Sequence, residues 1–409
     1  MNGMATDGPL TGYRVLELTT TRAGPFCGRL LADFGAEVIK VEPPGGDDLR
    51  SFGKQADGRS LYAGSILRNK SLIAVDLRDE RGQAVIHRLA PKCDLVVENF
   101  RPGTLERWNL GYDVLSAANP KVVLVRISGF GQTGPYRRRP GYGVIAEALS
   151  GLRHLTGHPE APPPRMAVSL TDYIAGVYAA FGAVMALHHA RKTGQGQVVD
   201  TALYEAAFSF TEPHVPAYAK LGHIANRHGH RLPGSTPNNL YKTRDGRHIL
   251  IAAHAHSLFQ RLCRVMDRDD LIDNERFQSS RARSENEGEL DAILSKWTER
   301  HDLEALEKML HDAEVPASRI YDTADIFADP HYRAREMLAE LPMGEAGTLT
   351  VPAVVPKLSA TPGRLNWSGR NTGEDTERVL TELAGFSPEE VARMAEQGVV
   401  HCHRGGEGI

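Results

Sequence analysis

Apolar residues recur along the first half of the chain in two alternating rhythms. Arg14-Val-Leu-Glu-Leu18 reads as a buried strand. Residues 25–33 follow with the i, i+4 spacing of a helix, and Pro25 stands early, where a missing N–H costs little. Gly35-Ala36 ends that helix, and Glu37-Val-Ile-Lys-Val-Glu42 reads as a second strand. Two further apolar strands, at 95–97 and 122–127, each come after a helical stretch. Strands alternating with helices predict a parallel α/β sheet with right-handed crossovers. A long helix is predicted over 172–190, rich in Ala, Gly, Val and Met, which suits close packing against other helices. Thr193-Gly-Gln-Gly-Gln197 stops it, with Gly194 as the left-handed residue past its end, and residues 198–202 read as another strand.

The rhythm changes near residue 226. Residues 228–239 are rich in Gly, Pro, His and Asn and read as a loop. Residues 241–251 read as a hairpin turning at Asp245-Gly246, and helices follow to about residue 313. This pattern describes a second, smaller α/β domain. Beyond residue 338 the spacing predicts two short strands, a Pro-rich stretch and a last helix over 388–397.

Composition narrows the partners. Lys plus Arg number 48 and Asp plus Glu 51, so the net charge of −3 offers no field to recruit nucleic acid or an anionic membrane. The run Arg137-Arg138-Arg139 is local and reads as a solvated face or a phosphate contact. Hydrophobic residues make up 41%, enough for globular cores. Cys27, Cys93, Cys263 and Cys402 form no CxxC pair, and the first nine residues lack a signal or transit pattern. The expectation is reduced thiols in the cytoplasm, with no apolar run near the ~20 residues of a membrane span. His401-Cys402-His403 offers too few ligands for a metal site, and none is expected.

Three segments could carry chemistry. Thr21-Arg-Ala-Gly-Pro-Phe-Cys27 joins a strand to a helix, where parallel sheets bind ligands and helix N–H groups face an anion. It lacks the GxGxxG of a dinucleotide site, which disfavours a nicotinamide-dependent dehydrogenase. Val96-Val-Glu-Asn-Phe-Arg-Pro-Gly103, followed by Arg107, offers an amide, a ring and two guanidiniums, a set suited to a nucleotide. Ser169-Leu-Thr-Asp172 puts a carboxylate at a helix start, where it reads either as an N-cap or as a stabilised anion with a chemical role. Taken singly, each of the three segments also reads as ordinary structure.

Their order along the chain is more informative. Leu16-Glu-Leu18, Ala23-Gly-Pro25 and Leu31-Ala-Asp-Phe-Gly-Ala-Glu-Val-Ile-Lys-Val-Glu42 are followed by Glu98-Asn-Phe-Arg-Pro-Gly103 and Gly129-Phe-Gly-Gln-Thr-Gly-Pro135. Asp172 then precedes Thr193-Gly-Gln-Gly-Gln197. From Leu10 to about Val400 the chain resembles the family III CoA-transferases, the CaiB/BaiF superfamily, in the manner of formyl-CoA transferase. The resemblance implies a Rossmann-like large domain and a smaller α/β domain, with ring-shaped subunits interlocked as a homodimer. On that pattern the large domain takes 1–207 and, after the small domain at 228–325, the returning segment 343–409. The linkers are 208–227 and 326–342.

The same resemblance implies roles. Asp172 attacks an acyl-CoA thioester, giving an aspartyl anhydride and then an aspartyl-CoA thioester that passes CoA to a carboxylic acid. Coenzyme A is a substrate, and no cofactor is implied. Arg22, Ala23, Val75, Arg78, Asn99, Phe100, Arg101, Arg107 and Tyr142 match CoA-contact positions. Segments such as Tyr241-Lys-Thr-Arg-Asp-Gly246 are similar to members that use succinyl-CoA and dicarboxylic acids. Two departures stand out. The loop Arg231-Leu-Pro-Gly-Ser-Thr-Pro-Asn-Asn239 has one glycine where formyl-CoA transferase has a glycine-rich lid, and Gly143 stands where transferases commonly carry Asp. The rival within the superfamily, an α-methylacyl-CoA racemase, carries His where Tyr142 stands, and 139–148 holds no His. A non-catalytic CoA-binding scaffold is the other alternative, against which an intact Asp172 argues.

Overall fold

The computed structural model describes residues 8–344 and 347–403. The first seven residues, which enter the reading of the N-terminus above, lie outside the described residues. The chain forms two compact units. The first takes residues up to 152, then 165–215, then those from 331 onward; the second takes 153–164 and 216–330.

The first unit is built on six parallel strands: β1 (Arg14–Leu18), β2 (Glu37–Glu42), β3 (Lys70–Val75), β4 (Leu95–Glu98), β5 (Val123–Ser128) and β6 (Val198–Ala202). They lie in the order β3-β2-β1-β4-β5-β6, and the short strand Val400–His401 pairs antiparallel with β3. Strand β3 is absent from the sequence reading because it opens on Lys70 and Ser71, which leaves only a short apolar run. Successive side chains point to opposite faces, so each strand feeds two cores. Leu16, Ile39, Ile73, Val96 and Leu124 pack on one face, with Val85, Leu89, Leu380 and Val391 from three helices. Val15, Val38, Leu95, Val97 and Val125 pack on the other.

That second face is covered by α1 (Ala23–Asp33) and α3 (Leu170–Thr193), with the short α2 (Gly143–Leu149) between them in sequence. Helix α3 turns a stripe of Ala175, Ala179, Ala183, Ala186 and Ala190 inward, which lets it pack closely against α1. It ends at Gly194, whose φ of +78° is the left-handed cap expected from the sequence. Its outer face is also apolar, with Val177, Phe181, Val184 and Met185 exposed. By length and composition alone α3 could cross a membrane, a longer apolar stretch than the sequence reading allowed; 44% of its most apolar window is buried inside this unit.

In the second unit, Asn238–Lys242 and His248–Ala252 form the expected hairpin, with Gly246 at φ +76° in the turn. Ala317–Arg319 adds a third antiparallel strand. Phe259, Leu262, Leu290, Leu294 and Leu306 from three helices fill the core beneath it. The loop 231–239 is tied at both ends to Asp291, which accepts from Arg231 Nε at 2.7 Å and Asn239 Nδ2 at 2.9 Å.

Candidate active site

The strand order reverses at β1, with β2 on one side and β4 on the other. Loops leaving the carboxyl ends of β1 and β4 therefore diverge and leave a crevice, the place where open α/β sheets bind ligands. Asn99 spans it. Its Oδ1 accepts from Thr20 N at 2.9 Å, and its Nδ2 donates to Thr20 O at 2.8 Å.

The loop after β1 bends sharply, with Thr21 at φ +70°, a conformation costly for a β-branched residue. A buried ionic network holds it. Glu17, Lys40 and Lys70 are fully buried. Lys40 Nζ donates to Thr19 O at 2.6 Å and to Asp47 Oδ2 at 2.9 Å, while Asp47 Oδ1 accepts from Thr21 N and Leu49 N. Lys70 Nζ donates at 2.7 Å both to Glu17 Oε2 and to Pro25 O, and Glu17 Oε1 accepts from Thr19 Oγ1 at 2.8 Å. Burial opposes the charge on Lys40, but Asp47 and Glu17 outweigh it and hold its pKa up. Burial opposes the Asp47 charge as well; Lys40 and the Leu49 N–H hold its pKa down.

The loop after β4 has a lighter anchor. Glu98 Oε2 accepts from Phe100 N at 2.7 Å, and Oε1 meets Arg126 Nε at 2.7 Å. Arg126 also reaches the more exposed Glu106. Burial pushes Glu98 up to about 7 against the pull of Arg126. The Phe100 ring lies edge-on to Trp108, with centroids 5.0 Å apart.

Above these loops lies a cavity of about 300 Å³. Arg22, Ala23, Asn99, Phe100, Arg101, Tyr142 and Asp172, all singled out from the sequence, line it together. Arg137 and Arg139 line it too. From the sequence their basic run reads as a solvated face or a phosphate contact, and neither is named there as a site residue. The structure does not bring the other three positions into this cavity. Val75 ends β3 inside the core, and Arg78 is an exposed side chain paired with Asp76 at 2.8 Å. Arg107 donates to Thr104 Oγ1 at 3.0 Å.

Asp172 is the third residue of α3, past the N-cap residue Ser169, whose side chain makes no capping hydrogen bond. Burial raises its pKa, opposed by the charge of Arg22, its own backbone N–H and the charge of Arg165. Arg22 stacks its guanidinium over the Phe52 ring, 4.5 Å from the centroid. Within the cavity, then, a partly desolvated carboxylate stands among arginines, beside an amide and aromatic rings. Such a lining suits a polyanion with a flat ring at one end and an electrophile at the other.

A second cavity of similar volume is lined by Arg59, Asn371, His401 and His403. There His403 Nε2 stands 3.2 Å from Asn371 Nδ2. Among the described residues no three His, Cys, Asp or Glu side chains gather where they could hold a metal ion.

Comparison with known proteins gives one family. The model of CoA-transferase family III matches residues 10–376. The chain is 44% identical to succinyl-CoA–D-citramalate CoA-transferase of Chloroflexus aurantiacus over 394 residues, covering 96% of this chain and 98% of that one. It is 36% identical to human succinyl-CoA:glutarate CoA-transferase, covering 97% and 90%. Among solved structures, a CaiB/BaiF family protein from Brucella suis superposes with a TM-score of 0.82 at 32% identity, over 92% of this chain and all of that one.

Proposed function

The chain belongs to CoA-transferase family III and is a CoA-transferase; from that premise we propose that it moves coenzyme A from succinyl-CoA to a dicarboxylic acid through covalent intermediates on Asp172. The observation that carries this reading is the position of Asp172. Its carboxylate, met by its own backbone N–H and by the charges of Arg22 and Arg165 rather than by a close side-chain partner, shares one cavity with Arg22, Asn99, Phe100 and Arg101. The choice of donor and acceptor draws on relatives named for succinyl-CoA with citramalate, malate, mesaconate or glutarate.

In the proposed sequence, an Asp172 oxygen attacks the thioester carbonyl, the C–S bond breaks, and CoA leaves as the thiolate. The thiolate attacks the aspartyl carbonyl of the resulting anhydride, releasing the donor acid as its carboxylate and leaving aspartyl-CoA. The acceptor carboxylate then displaces the thiolate to form a second anhydride. Attack of the thiolate on the acceptor's carbonyl completes the new acyl-CoA and returns Asp172. No net proton moves, which agrees with a site whose reacting group is a carboxylate rather than an acid–base pair. Arg22 and Ala23 bound the thioester end, while Asn99, Phe100, Arg101 and Tyr142 hold the rest of CoA. Arg78 and Arg107 belong to the outer reach of the nucleotide, which Val75, with its side chain in the core, could meet only through its backbone.

The reading includes a homodimer of interlocked subunits. The apolar outer face of α3, with Phe181 60% exposed, supports a second copy lying against it. It also includes a cytoplasmic setting, supported by four free thiols.

A panel of acyl-CoA donors and carboxylic acids, followed by mass spectrometry, tests the function. The expected result is preferred exchange between succinyl-CoA and a dicarboxylate, with an Asp172 peptide adduct when the acceptor is withheld. Exchange without any adduct on Asp172 would sink the mechanism, and epimerisation without exchange would sink the transferase assignment. Sedimentation at nanomolar concentration tests the dimer, which a folded monomer overturns.

A further inference from the structure

We propose that Gly143 is a positioning residue for the nucleophile: the space left by its missing side chain is the seat of the Asp172 carboxylate. This rests on the reading of Asp172 as the reacting group and concerns how that group is held. Gly143 is buried and opens α2 directly after Tyr142, which lines the cavity. A methyl group built on its backbone would overlap Asp172 Oδ2, and would stand 2.9 Å from Asp172 Cγ and 2.8 Å from Thr171 Oγ1. The two helix starts are also bonded together, since the buried Thr171 Oγ1 donates to Gly143 O at 2.8 Å.

Backbone conformation does not explain the glycine. Gly143 is not among the residues with positive φ, and alanine is the better former of a helical turn. What requires glycine is the close approach of the carboxylate. With Asp172 placed as it is in this chain, a side chain at 143 would push its flexible end off the seat, because the backbone of α2 is tied to α3 through Thr171. The departure at Gly143 noted in the sequence is therefore a feature of how this chain aims its nucleophile. A carboxylate displaced from its seat no longer lies on the path to the thioester carbonyl, where the Oδ–C bond forms as the C–S bond breaks.

The test is Gly143→Ala, compared with wild type in the full chain. The readouts are kcat, KM for succinyl-CoA, the single-turnover rate of Asp172 labelling without acceptor, and melting temperature. Misplacing a reacting group by about an ångström costs on the order of 100-fold, so labelling and kcat should both fall by roughly that factor. KM should stay within about threefold, because binding contacts common to ground and transition states are kept. The melting temperature should fall by a few degrees at most, because the nearest atom to give way is the free end of the Asp172 side chain. Wild-type labelling in Gly143→Ala overturns the proposal, and so does a loss that appears wholly in KM. Should Gly143→Ala not fold, Thr171→Val decides, since it loosens the tie that holds Gly143 and the seat against α3 while leaving 143 unsubstituted. A slowed labelling rate there supports the proposal, and an unchanged one overturns it. A wild-type protein that never labels Asp172 is a different failure, since it removes the reading on which the seat depends.

Discussion

Two carboxylate environments lie in the first unit and obey opposite rules. Beneath the β1 loop, Glu17 and Asp47 are each met by a buried lysine and a backbone or hydroxyl donor. In the cavity above, Asp172 has arginine charges nearby and its own backbone N–H, but no buried lysine meets it. Two lysines and two carboxylates below compensate one another, so that region can leave water without stranding a charge. Asp172 is partly desolvated without that compensation, and its pKa rises. The contrast separates carboxylates that hold a backbone in place from one that is kept available to react.

The comparison breaks most visibly at Asp172. Asp172→Asn should lose roughly 10⁴-fold or more of transferase activity, the scale of removing a nucleophile, while CoA binding persists. Stability should move the other way. A carboxyl whose folded pKa lies above its unfolded value favours the native state at low pH and loses that contribution as pH rises through the folded pKa. At neutral pH the neutral amide should therefore keep or raise the melting temperature. The acid limb of activity in wild type should also sit above that of an ordinary aspartate, which a pH profile of kcat/KM would measure.

Lys40→Met tests the other side. It removes one cation from a buried network and should cost about 3–5 kcal/mol of unfolding free energy, read by denaturant titration. A stable Lys40→Met protein would contradict the compensation described here. A smaller effect is expected at Glu98, which is as buried as the network carboxylates but, like Asp172, has a raised pKa. Its pKa, raised from 4.5 to about 7, gives a stabilising contribution that is present below 4.5 and is lost as pH rises through about 7. Glu98→Gln should flatten the stability profile within that window, and an unaltered slope in thermal scans would show that Glu98 does not titrate there. The mildest change is Arg107→Ala. With Thr104 as its hydrogen-bond partner, Arg107 lies outside the cavity lining. KM for acyl-CoA should rise by roughly threefold to tenfold with kcat kept, as uniform binding requires; a collapsed kcat with unchanged KM would reverse the role.

The alternation of β1, α1 and β2 was legible because both sheet faces are covered, which turns each strand into an apolar run between helical spacings. The cavity lining was legible at Arg22, Asn99, Phe100 and Asp172 because the residues stand in short motifs at strand ends and a helix start. The network beneath was not. Lys40 and Glu17 each interrupt an apolar strand, and the bonds that join separate strands, Lys70 to Glu17 and Lys40 to Thr19, span 53 and 21 positions; pairing at that distance leaves no local mark. Gly143 was visible as a departure, yet its meaning depends on a side chain 29 positions away. The cap reading of Asp172 failed for a local reason: α3 starts at Leu170, two residues earlier than the charge suggests.

The edge strand Val400–His401 has a consequence for biosynthesis. It covers the open edge of β3, and Val379, Leu380, Val391 and Met394, which come shortly before it, complete one of the two cores. A ribosome makes all six parallel strands before any of these residues exists. Until they emerge, the growing chain carries a sheet face covered only in part, by the helix of Val85 and Leu89 among others, and an unpaired strand edge, both of which invite self-association. Folding of this unit cannot finish in step with translation, because its edge strand and part of one core come last.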